Sequence, residues 1–144
     1  MVSRLSPLFR LRHLAADRSG AVLIEAAFAL SLLLVMLVGI VTYGLWLMTA
    51  NSLQQVANEA ARSALGAMSA AERQELVDRS IAGSLLQSGA IAADRVTVST
   101  RHDGGFFTVT LSYDTAGDGL FATTLVPLPS DTIVRSAGIA VGGG

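Results

Sequence analysis

From Ala26 to Met48 the chain carries no charged residue, and most of its side chains there are Leu, Val, Ile, Ala, Phe or Met. About 20 apolar residues, rising about 1.5 Å each in a helix, cover a hydrocarbon core of roughly 30 Å. Leu, Ile, Val and Phe each favour insertion by roughly 0.3–0.6 kcal/mol, so together they outweigh one carboxylate costing about 3 kcal/mol. The stretch is therefore read as a membrane span. No proline interrupts it, and Tyr43 with Trp46 near its end suits an aromatic belt at the outer interface. Gly39 and Gly44 lie within the run, and Ala27 with Ser31 forms a small-xxx-small pair at which another helix can approach.

Beyond Asn51 the apolar positions thin to a stripe. Leu53, Val56, Ala57, Ala60, Ala64, Leu65 and Met68 recur at three- and four-residue intervals, while Gln54, Asn58, Glu59, Arg62 and Ser63 fall mainly outside them. The spacing predicts one helix from Ala21 to Met68, roughly 70 Å long at about 1.5 Å per residue. Its second half offers a narrow, Ala-rich face that a lone helix cannot bury. Ser69-Ala-Ala-Glu72 is a capping-box pattern that opens a second helix. Leu76, Val77, Ile81 and Leu85 give that helix an apolar face, and Gly89 ends it.

From Arg95 the period changes to two. Val96 and Val98 alternate with Thr97 and Ser99, and His102-Asp-Gly-Gly105 reads as a hairpin turn. Phe107, Val109, Leu111 and Tyr113 line one face of the returning strand. Thr115–Gly119 and Pro127–Asp131 are loop-like, with a short apolar piece, Leu120 to Val126, between them. Thr132 to Val141 is a last strand weakened by Gly138, and the terminal triple glycine is expected to fray. The expected fold is α+β: a long N-terminal membrane helix continuing outside, covered by a second helix and a small antiparallel sheet.

Composition sets the topology. The 144 residues suffice for one small domain beside the span, and the 51% hydrophobic content is accounted for by that span and the Ala-rich helix. Residues 1–20 hold Arg4, Arg10, Arg12 and Arg18 against Asp17, whereas the part after Asn51 is net acidic. Basic flanks stay in the cytoplasm, so the N-terminus is expected inside and the remaining chain outside. There is no cysteine, which excludes disulfides, thiol chemistry and cysteine-bound metals. A secretory signal peptide is the competing reading of this end, but its apolar core is shorter, about 7–15 residues. Met48-Thr49-Ala50 is a poor small-x-small site, and the helical pattern runs through it.

A basic leader, the small residue Gly20 and then Glu25 in the apolar run together resemble the processing site of type IV prepilin-like proteins, which a membrane peptidase cuts after the glycine. Arg18-Ser-Gly-Ala-Val-Leu-Ile-Glu25, Gly39-Ile-Val-Thr-Tyr-Gly44 and Asn51-Ser-Leu-Gln-Gln-Val-Ala-Asn-Glu-Ala-Ala-Arg62 are, in this order and spacing, similar to the TadE-like minor pseudopilins of tight-adherence (Flp-type) pilus systems. Ala26, Ser31 and Thr42 depart from that pattern, standing where an aromatic, a proline and an acid are frequent. The resemblance implies cleavage between Gly20 and Ala21, with Glu25 setting helix register and neutralising the new N-terminus. It also implies residues 1–20 as a removed leader, 21–50 as the transmembrane part and 51–144 as an extracytoplasmic domain. The implied partners are a prepilin peptidase, other pilin-like subunits, the pilus assembly platform and membrane lipid. Incorporation into a pilus, with roles in adhesion or secretion, follows from the same resemblance.

Enzymatic chemistry finds little support in the residues. His13 lies in the leader and His102 in the turn, and neither has a second ligand at metal spacing. Asp114 and Asp118 around Gly117 lack the fuller calcium-loop pattern and read as a turn. Gly104-Gly105 has no phosphate-loop companions, and no Gly-x-Ser-x-Gly elbow occurs. No cofactor is implied, and the short basic leader gives no basis for nucleic-acid binding. The alternative to a pilin-like subunit is an uncleaved single-pass anchor that displays a sensing or binding domain outside the cell.

Overall fold

The structure, a computed structural model, describes residues 19–89, 91–121 and 125–141. The leader with its four arginines, Asp17 and His13, part of the Leu120–Val126 piece and the terminal triple glycine lie outside the described residues. Helix α1 runs Ser19–Ser63 and α2 runs Ala70–Ser88; strands β1, β2 and β3 are Val96–Asp103, Phe106–Asp114 and Thr132–Ala140. The chain divides between Val38 and Gly39 into two compact units. The α+β, pilin-like architecture expected from the sequence is the one observed.

In the first unit, every described residue from Gly20 to Leu37 is exposed, and Phe28 is the most open of the large apolar side chains at 76%. A helix that is apolar on all sides and covered on none lacks the single buried stripe of a soluble amphipathic helix. Its length and composition suffice to cross a bilayer.

The second unit packs the rest of α1, with α2, against one face of a three-stranded antiparallel sheet ordered β1-β2-β3. Val96 pairs with Tyr113 and Val98 with Leu111, while Leu111 pairs with Arg135 and Tyr113 with Ile133. This register brings Phe107, Val109, Leu111 and Tyr113 to the centre of the inward face, all buried as the period-two pattern requires. On the helix side, Leu53, Val56, Ala57, Ala60, Ala61 and Ala64 are buried, as are Val77, Ile81 and Leu85 of α2. Alanines with about 1% exposure or less let backbone and sheet approach closely. Leu53 is the largest buried side chain on that stripe, worth roughly 1.5–3 kcal/mol.

Local chemistry places the ends of these elements. Ser69 Oγ accepts from Glu72 N at 3.2 Å, and Glu72 Oε2 accepts from Met68 N at 2.8 Å, so the capping box starts α2. Gly89, with φ of 57°, is the left-handed C-cap. Asp103 pairs with Phe106 across Gly104 and Gly105, whose φ values of 55° and 80° suit a type I′ turn.

Two expectations are corrected. α1 stops at Ser63 rather than Met68: the Ser63 hydroxyl donates to Ala60 O and Leu76 O, and a 3₁₀ turn over Ala64–Gly66 follows. Leu65 and Met68 are thereby turned outward, 60% and 97% exposed, and Ala61 joins the stripe instead. His102 belongs to β1, paired with Phe107, because the hairpin turns in only two residues.

Candidate functional site

Gly20 and Ala21 lie at the start of the described part of α1, and among the described residues no atom approaches within 4 Å of the position a Gly20 Cβ would take.

Glu25 follows Ala21 by four residues, which on a helix places it about 6 Å further along and on nearly the same face. Its side chain is exposed, and among the described residues it makes no hydrogen bond or ion pair. It stands among Val22, Leu23, Ile24 and Phe28, which are 60–76% exposed. A carboxylate in that setting is costly in lipid until a cation reaches it. Ser31, the other polar residue nearby, donates to Ala27 O at 2.8 Å, so its hydroxyl is satisfied within its own helix. Among the described residues Glu25 has no such outlet.

The aromatic pair at the end of the apolar run has partners that the sequence did not reveal. Tyr43 Oη donates to Pro127 O at 3.1 Å, and Trp46 Nε1 donates to Ser130 O at 3.4 Å. The Arg135 guanidinium lies over the Trp46 ring at 5.9 Å. Thr42, at the position where the resemblance leads one to expect an acid, is buried at 4% exposure. A carboxylate there would be enclosed by protein.

The remaining candidates resolve into structural roles. Asp114 Oδ1 accepts from Ala116 N at 2.8 Å, an Asx turn that leads into Gly117 with φ of 73°. Asp118 accepts a short hydrogen bond from Tyr113 Oη. Burial above all, and then that bond to Asp118, push the Tyr113 hydroxyl up to about 12. Arg95 donates to Ala116 O and Gly117 O, so the loop is held from both sides. His102 is exposed. Among the described residues no group of three His, Cys, Asp or Glu side chains is arranged to hold a metal. A groove of about 380 Å³ beside α1 and α2 is lined by Met48, Ser52, Gln55, Val56, Glu59, Ser84 and Gln87, of which Glu59 alone is charged.

Residues 20–62 match the family model described as TadE-like protein. The match begins at Gly20 and stops one residue before the end of α1, leaving α2 and the sheet outside it. No curated protein and no solved structure matches the chain.

Proposed function

We propose that this chain, whose residues 20–62 match the TadE-like family model, is a minor pilin or pseudopilin of a tight-adherence pilus, cleaved after Gly20 and assembled through α1. The observation that carries this reading is the coincidence of three features at one point. The family match, the open space around the Gly20 Cβ position among the described residues and the glycine of the processing pattern all fall at Gly20. The role is structural rather than catalytic. A prepilin peptidase acts on the N-terminus, other pilin-like subunits and the assembly platform receive the cleaved product, and the second unit faces outward from the inner membrane.

Cleavage gives Ala21 an α-amino group with a reference pKa of about 7.7–8.0. Within one chain that amine and Glu25 lie on the same helical face, and the positive end of the helix dipole favours the carboxylate there. Among staggered helices Glu25 instead reaches a neighbour's amine, where leaving either charge unpaired costs several kcal/mol. Glu25 then acts as a register device.

N-terminal sequencing of membrane protein from hosts with and without a prepilin peptidase tests the cut. Ala21 is expected as the first residue only where the peptidase is present, and an uncut leader in both hosts would favour the plain anchor. Glu25→Ala is expected to insert and to be cleaved as the parent is, while co-purification with pilin-like subunits falls sharply. Normal assembly of that variant would reduce Glu25 to an interfacial residue.

A further inference from the structure

The segment Leu125–Pro129 is folded down beside α1 at a level that the apolar run places within or at the edge of the bilayer. A span of about 20 residues that starts at Ala21 ends near Ile40, and one that starts at Ala26 ends near Leu45. Val126 Cγ2 lies 3.8 Å from the position a Cβ on Gly39 would take, and Pro127 O meets Tyr43. Whichever register the span adopts, the loop reaches the boundary between acyl chains and headgroups.

Its chemistry fits that depth. From Gly119 to Ser130 the sequence carries no charge, and charges resume on either side at Asp118 and Asp131. Irregular backbone at membrane depth is tolerated only when its polar groups are satisfied. Pro127 and Pro129 have no N–H to satisfy. The carbonyls of Pro127 and Ser130 accept from Tyr43 and Trp46, and Ser130 Oγ takes the Thr132 N–H at 3.1 Å. Leu128 is packed against the core, whereas Leu125 is 68% exposed. An uncharged loop that turns Leu125 outward, lacks the N–H groups of its two prolines and has its Pro127 carbonyl met by Tyr43 is suited to the edge of a membrane.

We infer that Leu125–Pro129 is a second membrane contact, seated in the headgroup–acyl boundary of the bilayer beside α1. The inference rests on the reading of α1 as a membrane span. Tyr43 and Trp46 then serve two ends at once, as interfacial aromatics and as donors that hold the loop and the residue after it against α1. The loop sets the height of the second unit above the bilayer by a contact separate from the helix.

The absence of cysteine allows single nitroxide labels to be placed without altering native thiols. Full-length chain carrying Leu125→Cys or Pro129→Cys would be labelled and reconstituted in phosphatidylcholine vesicles with a minor fraction of phosphatidylglycerol. Collision with oxygen, which partitions into lipid, is compared with collision with a water-soluble nickel chelate. Leu30→Cys marks the span, and Leu86→Cys, at an 83% exposed position of α2, marks water. The oxygen-to-chelate ratio at 125 and 129 is expected to lie between the two references and several-fold above that at 86. A ratio equal to that at 86, with Leu30→Cys shielded from the chelate and Trp46 emission unchanged, overturns the inference and leaves the span intact. Exposure of the Leu30→Cys label to the chelate would overturn both.

Discussion

The two halves of α1 are one helix with two kinds of surroundings, one uncovered and one packed. Before Val38, leucines such as Leu33 and Leu34 are 60–61% exposed, and no described residue covers them. Past Gly39, Leu53 is fully buried and the buried positions around it are Val56 and alanines. Size separates the two more than hydropathy does. A fluid acyl phase would accept side chains of any shape, and the half before Val38 is rich in Leu, Val and Phe. A packed sheet at interior density accepts only what its own side chains leave room for, and opposite Phe107, Leu111 and Tyr113 that is mainly alanine. Apolar content alone thus says little about stability; what counts is whether the surface has a fixed partner.

The strongest way to break this contrast is to place a charge in the packed half. Val109, fully buried on the central strand, replaced by Asp would leave an unpaired carboxylate at a cost of several kcal/mol. The second unit is expected to unfold in detergent-solubilised protein while the helix still partitions into the micelle. Trp46 is the only tryptophan and lies in the second unit, so its emission reads that unfolding directly. A native Trp46 spectrum for Val109→Asp would mean that the strand's faces are assigned wrongly.

A finer comparison removes the same atoms from each half. Leu53→Ala is expected to destabilise the second unit by about 2–5 kcal/mol, through lost burial and the cavity left behind. Leu34→Ala, exposed to solvent or lipid, is expected to leave the unfolding midpoint of that unit unchanged. Equal effects from the two would dissolve the distinction between the halves.

The smallest effect is a pH dependence confined to the packed unit. Tyr113 holds its proton more tightly folded, with its pKa pushed up to about 12, than unfolded, near 10.0. Its contribution is therefore complete below about pH 10 and is lost as pH rises towards 12. The loss amounts to roughly 2–3 kcal/mol at most. Tyr113→Phe is expected to flatten that part of the stability curve. The chain has two tyrosines, no cysteine and no lysine, so few other side chains titrate in the same window. A decline unchanged in Tyr113→Phe would assign it to another group.

Elements defined by neighbours in the chain are legible in the sequence. Ser69 and Glu72 lie three residues apart, and the capping bonds form between those residues and Met68. Phe107 to Tyr113 alternate, and alternation is all that a two-faced strand requires. Gly20, Ala21 and Glu25 stand out as a pattern, and among the described residues α1 presents them without adding a partner. What the pattern cannot carry is decided at a distance. Periodicity would extend α1 to Met68, but the Ser63 hydroxyl reaches Leu76 O on α2 and the helix closes. Tyr43 and Trp46 read as interfacial anchors, and no local rule announces that both donate to carbonyls 84 positions away.

The strand order has a consequence in time. β1 and β2 are joined by two residues, so their pairing is a local event on the order of microseconds. β3 comes to the other side of β2 from beyond Asp131, and its contact with α1, such as Gln54 to Ser136 O, spans 82 positions. Contacts so remote in sequence are slow to find because loop closure precedes any gain from them. The hairpin is thus closed by local contacts, whereas β3, which brings Ile133 into the core, depends on contacts far more remote in the chain.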